Sequence, residues 1–198
     1  KGFYKNRREP QLTGLLDLVA LGTVCDVVPL TGVNRAFVAQ GLKVMAMRRN
    51  PGIKALSDVA GVDEAPKAFH AGFMIGPRIN AGGRVGEAYI GSKLLSSDCP
   101  IECSELAGKL NHYNAERREI EADVLEQAID QIESRGHEND YIVMAAGLNW
   151  HPGVVGIVAS RLKERYNKPA AVIGLDENGI GKASARSVSQ IDLGNIVI

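Results

Sequence analysis

Four groups of polar residues in this chain have types and spacings that could do chemistry. The first is Trp150-His151-Pro152-Gly153-Val154-Val155-Gly156, between two apolar runs that begin at Tyr141 and Pro169. Pro152 suits a first helical turn because it has no amide N–H to leave unpaired. Gly153 and Gly156 strip bulk from that turn, so its bare amides could receive an anion; equally, both glycines could serve only close helix–sheet packing. Second, Lys182, Ser184 and Arg186 fall at i, i+2 and i+4 in a run from Gly179 to Val188. On a strand they share one face. Two cations and a hydroxyl there could grip a phosphate, or simply protect an exposed edge. Third, Gly76-Pro77-Arg78-Ile79-Asn80-Ala81-Gly82-Gly83-Arg84 reads as a loop. The planar guanidinium fork of Arg78 and Arg84 matches phosphate oxygens, and glycine lets a backbone come close; a basic surface loop would look the same. Fourth, Asp26 stands between Val24-Cys25 and Val27-Val28. It is either a loop or cap carboxylate or a ligand for a hard divalent cation.

The elements that position these groups follow from periodicity. An opening loop is expected from Lys1 to Pro10. A helix follows with Leu12, Leu15, Leu16, Val19 and Ala20 on one face, broken at Gly22-Thr23. A second, capped by Thr31 or Asn34, runs through Val38, Leu42, Val44 and Met45 and stops at Asn50-Pro51-Gly52. Helical stretches are expected near Ala55 to Ala60, Ala65 to Ile75 (ended by Gly76-Pro77) and Gly86 to Leu95. Ser96-Ser97-Asp98 then caps a much longer helix striped by Leu106, Leu110, Tyr113, Ile120, Val124, Ala128 and Ile132. Its other faces carry Glu116, Arg117, Arg118, Glu119, Glu121, Glu126 and Asp130, which read as solvated. Strand, polar loop, helix and strand then make one βαβ unit. Of the histidines, His70 reads as packed, His112 and His137 as surface residues, and His151 as the one with functional promise.

Lys and Arg together number 23, as do Asp and Glu, so the formal net charge is zero. Any nucleic-acid contact must come from a local basic site, because the whole chain offers no steering field. No apolar run approaches a membrane span and no signal peptide opens the chain. Cys25, Cys99 and Cys103 form no CxxC pair and fit free thiols in a reducing cytoplasm. Both ends look cut, and a fragment is expected.

Together these stretches resemble the DHH/DHHA1 phosphoesterase superfamily, and RecJ-type single-stranded-DNA exonucleases within it. The resemblance rests on Leu18 to Leu30, on Gly76 to Arg84, on Trp150 to Leu162, on Ser184-Ala185-Arg186-Ser187 and on the helix segment from Leu110-Asn111 through Arg117 to Glu121, in family order. It implies an α/β fold: the C-terminal part of a DHH domain over 1–90, a connector helix over 91–137, and a smaller α/β DHHA1 domain over 138–198, truncated at its end. It implies that Asp26 is a metal ligand and catalytic residue for two Mn²⁺ or Mg²⁺ ions. By the same resemblance Arg78, Asn80 and Arg84 face the nucleic-acid channel, Trp150, His151 and Gly153 bind substrate, and Ser184 and Arg186 hold a 5′-terminal phosphate. Single-stranded DNA is the implied partner, with a helicase and a single-strand-binding protein as further ones, and no membrane. The family's earlier aspartate motifs, its Asp-His-His triplet and its Gly-Gly-His motif have no counterpart here, so the chain alone is expected to be inactive. The alternatives are a phosphodiesterase of oligoribonucleotides or cyclic dinucleotides, and a non-catalytic nucleic-acid-binding relative.

Overall fold

The computed structural model describes Tyr4 and residues 9–197. Most of the expected opening loop therefore lies outside the described residues. The chain divides into two compact units, Lys1–Gly82 with Glu87–Asn114, and Gly83–Gly86 with Ala115–Ile198.

The first unit is helical. A 3₁₀ turn, Leu12–Leu15, leads into α1 (Leu16–Cys25), followed by α2 (Gly32–Ala46) and α3 (Pro51–Val59). A π-helical turn, His70–Ile75, runs directly into α4 (Gly76–Val85), and α5 (Tyr89–Ser96) precedes the 35-residue α6 (Pro100–Ser134). Leu21, Met45, Ile53, Leu56, Ile75, Ile90, Leu94, Leu106 and Leu110 form the core. α1 and α2 approach so closely that a Cβ at Gly41 would lie 2.1 Å from the Leu16 carbonyl oxygen. Of the face expected for α1, Ala20 is buried while Leu12, Leu15 and Val19 are exposed.

Three expectations in this unit are corrected. Asn50-Pro51 opens a helix rather than closing one: the Asn50 side chain accepts the Ile53 N–H at 3.0 Å, and proline fits the first turn of α3. α1 continues through Gly22-Thr23 to Cys25, where Asp26 caps it. Most consequentially, Gly76 to Arg84 is helix, not loop. The π turn makes this possible: the Gly76 N–H reaches back five residues to the Ala71 carbonyl. That wider turn absorbs the missing Pro77 donor and the bulk of its ring, which an uninterrupted α-helix would not. Gly76 also faces Cys25, whose sulfur would sit 2.4 Å from any Cβ there.

In the second unit, the rest of α6 is followed by a 3₁₀ turn (His137–Asn139), β1 (Val143–Leu148), α7 (Pro152–Tyr166), β2 (Ala170–Leu175), β3 (Gly181–Arg186) and α8 (Leu193–Val197). β1 and β2 are parallel, with Val143 opposite Ala170; β3 joins β2 antiparallel, with Arg186 opposite Ala170. The expected βαβ unit is thus present, and β2 lies in the middle. Val124, Ala128 and Ile132 of α6 pack with Val143, Val154, Val158, Leu162 and Val172. Trp150 joins this core, its indole N–H donating to Gln127 Oε1 at 3.0 Å. The outer edge of β1 is met by a side chain: Gln131 Nε2 donates to the Ala146 carbonyl at 3.0 Å while its Oε1 accepts the Ala146 N–H at 2.8 Å.

Glu121 corrects the reading of a solvated face on α6. It is buried, pairing with Arg117 one turn earlier and with Arg161 Nε of α7 at 3.4 Å. Carboxylate and guanidinium neutralise each other beneath the surface, which makes its burial tolerable. Cys25, Cys99 and Cys103 are free thiols. No helix among the described residues is long and apolar enough to cross a membrane.

Glycine spacing gives a stability test. Gly41→Ala forces a methyl into the Leu16 backbone and is expected to destabilise by about 1–3 kcal/mol. Gly108, in α6, has nothing within 4 Å of its Cβ position. Gly108→Ala is expected to stabilise by about 0.5–1 kcal/mol through helix propensity. Urea unfolding of the two variants should move in opposite directions.

Candidate nucleic-acid interface

In the second unit the alternation of β3 sets Lys182, Ser184 and Arg186 on one face. Arg186 Nη1 donates to Ser184 Oγ at 3.2 Å and to the Ala185 carbonyl at 2.9 Å. Ser184 thereby uses a lone pair and keeps its own proton to donate. Gly156 of α7 faces this pair: a Cβ there would lie 3.1 Å from Ser184 Oγ and 3.2 Å from Arg186 Nη2. Among the described residues no carboxylate pairs with Lys182 or Arg186. A basic face without internal neutralisation can take an external anion.

The start of α7 is built differently from the bare-amide expectation. His151 caps the helix, its Nδ1 accepting the Gly153 N–H at 3.0 Å, and its carbonyl accepts the Val154 N–H at 3.0 Å. With Nδ1 accepting, the neutral ring carries its proton on Nε2. Gly153 serves close packing: a Cβ would lie 2.2 Å from the Arg84 carbonyl oxygen, and Arg84 Nη1 donates to the Gly153 carbonyl at 3.1 Å. Arg84 therefore braces this turn. Trp150 is 6% exposed and belongs to the core. A depression of about 260 Å³ beyond the carboxyl ends of β1 and β2 is lined by Asn149, Trp150, His151, Asp176, Ile180 and Lys182. Ligands in open α/β sheets characteristically bind at such strand ends.

In the first unit, α4 holds Arg78 half-buried, with Nε donating to Asn111 Oδ1 at 2.9 Å and Nη1 to the Met74 carbonyl. Asn111 of α6, which lies in the segment from Leu110-Asn111 that carries the family resemblance, is thus a positioning residue for Arg78. Asn80 is exposed and borders an apolar hollow of about 490 Å³ lined by Leu18, Leu21, Cys25, Ile79 and Leu95. Burial raises the pKa of the Cys25 thiol there. His70 is buried as expected, its Nε2 3.3 Å from a Glu64 oxygen.

Asp26 is exposed at the end of α1, its N–H bonded to the Gly22 carbonyl, rather than set in an apolar wall. Val27 follows in the left-handed region at φ 55°, a strained conformation for a β-branched residue. Among the described residues no group of three or more His, Cys, Asp or Glu side chains is placed to hold a metal ion. The residues present do not, by themselves, make a divalent-metal centre.

Residues 138–198 match the DHHA1 domain. Over 190 residues the chain is 42% identical to the single-stranded-DNA-specific exonuclease RecJ of Dickeya dadantii, covering 93% of this chain and 33% of that protein. It is 41% identical over 182 residues to the enzyme of the same name from Bacillus subtilis, covering 90% of this chain and 23% of that one. The crystal structure of RecJ in complex with Mg²⁺ from Thermus thermophilus superposes with a TM-score of 0.82 at 34% identity, over 95% of this chain and 29% of that one. Over nine-tenths or more of its length the chain is thus similar to part of RecJ-type proteins. It spans between about a quarter and a third of these RecJ-type proteins. The Mn²⁺ complex from the same organism superposes with a TM-score of 0.80 at 35% identity, over 92% of this chain and 26% of that one.

Gly156 offers a test that separates folding from the candidate site. The atoms its Cβ would meet are the ends of flexible side chains, Ser184 Oγ and Arg186 Nη2. Gly156→Ala is therefore expected to leave the thermal midpoint within a few degrees while displacing that pair. Loss of affinity for a phosphate-bearing oligonucleotide with an unchanged midpoint is the expected result.

Proposed function

We propose that this chain is the part of a single-stranded-DNA exonuclease that grips the strand and fixes its 5′ end for hydrolysis to mononucleotides. The observation that carries the reading is the Ser184–Arg186 pair on β3, with no carboxylate partner among the described residues and facing the Cβ-free surface at Gly156. A terminal phosphate offers more charge and more acceptor oxygens than an internal diester, so a guanidinium and a hydroxyl proton on one face favour it. Lys182 and His151 line the adjoining depression, where Lys182 adds a point charge and Nε2 of His151 a neutral donor. Arg84 holds the α7 turn in place through Gly153. Arg78, oriented by Asn111, and Asn80 contact the sugar–phosphate backbone, a role that fixes register without reading sequence.

Asp26 is assigned as one carboxylate of a centre for Mn²⁺ or Mg²⁺ whose other ligands are not among these residues. The neighbouring RecJ structures with Mg²⁺ and Mn²⁺ support divalent-metal use. Two-metal hydrolysis of a phosphodiester needs several ligands to fix both ions. The chain as given is accordingly expected to release no nucleotides with either metal.

The full-length polypeptide that carries this sequence tests the reading. Fluorescence-anisotropy binding to a short single-stranded oligonucleotide, with and without a 5′-phosphate and at fixed salt, should show a preference for the phosphorylated end. Arg186→Ala should abolish that preference, and Ser184→Ala should reduce it. Equal binding of the two oligonucleotides by the wild-type protein would refute end recognition and favour a phosphodiesterase of small nucleotides.

A further inference from the structure

We infer that Phe69 and Phe73 form a base-stacking platform for single-stranded nucleic acid, a site that rests on the nuclease reading above and extends it into the first unit. The two rings stack on each other, with centroids 5.2 Å apart and planes 24° apart. Both stand in solvent, Phe69 at 59% and Phe73 at 73% exposure. A preformed, near-parallel aromatic pair open on its outer face is what successive nucleobases need, because every base presents a π-face.

The pair is fixed from beneath. His70 meets Phe69 edge-on, with ring centroids 5.9 Å apart at 72°. His70 is itself held by the Lys67 N–H, which donates to its Nδ1 at 3.1 Å. The surroundings suit a polyanion. Glu64 is the nearby carboxylate, and Lys67 Nζ donates to its two oxygens at 3.2 and 3.0 Å, so it presents no unbalanced charge. On the same helical run, beyond the π turn, come Arg78 and Asn80, to which the backbone contacts are assigned. Aromatic faces for bases, with donors for phosphates on the same helical run, are the two ingredients of sequence-tolerant single-strand binding. The π turn, which carries Phe73 itself, belongs to a class of distortion often found at functional sites.

The occupant is therefore a stretch of unpaired bases, and the competing occupant is an apolar protein layer. Phe73→Leu distinguishes them, because leucine keeps apolar bulk and loses the π-face. In the full-length polypeptide, affinity for a single-stranded oligonucleotide should fall about 5- to 100-fold in Phe73→Leu. Phe73→Trp should bind at least as well as wild type. An oligonucleotide of equal length built of abasic residues should bind wild type and Phe73→Leu alike. Wild-type binding with no loss in Phe73→Leu on either ligand overturns this site alone. A lowered thermal midpoint with equal losses on both ligands marks a buried structural role and also overturns it. Wild-type protein that binds no single strand overturns the nuclease reading and this site together.

Discussion

Trp150 can occupy its position only because two strand residues lack side chains. A Cβ at Gly147 would stand 2.1 Å from the indole ring, and one at Gly174 would stand 2.3 Å from the Trp150 carbonyl oxygen. With the indole N–H taken by Gln127, this exclusion of Cβ atoms fixes where β1 ends and where α7 begins. His151, Gly153 and the Arg84 brace inherit that placement, and Gly156 follows one turn later beneath Ser184 and Arg186. Elements of the second unit are brought together by main-chain approach as much as by apolar bulk.

The sequence was most legible where a pattern is local. The βαβ unit, the small residues alternating with Lys182, Ser184 and Arg186, and the apolar stripe of α6 all depend on neighbours within a few residues. They stand in the structure as read. The stripe is divided, however: Leu106 and Leu110 serve one core, while Val124, Ala128 and Ile132 serve the other. Periodicity reveals that a face is buried, not what buries it.

Legibility failed where distant contacts decide. Gly76-Pro77 carries the composition of a loop, and only the π turn and the Cys25 sulfur against Gly76 explain why it is helix. Glu121 looks like its charged neighbours on α6, and its burial joins a partner one turn away, Arg117, to one 40 residues away, Arg161. Arg78 was legible as a candidate contact, but its aim depends on Asn111, 33 residues on. Phe69 and Phe73 lie in a stretch read only as helix, where an aromatic pair would ordinarily serve the core. Exposure alone separates them from that role.

The bond pair between Gln131 and Ala146 bears on behaviour in concentrated solution. A strand at the rim of a sheet is a template on which another molecule's strand can assemble. β1 is such a rim, with Met144 and Leu148 exposed along it. Gln131 spends both the donor and the acceptor of Ala146 within the molecule, so an incoming strand would have to break two bonds before making its own. A helix-borne amide thus acts as a guard against intermolecular aggregation, stationed where the sheet would otherwise be open to growth.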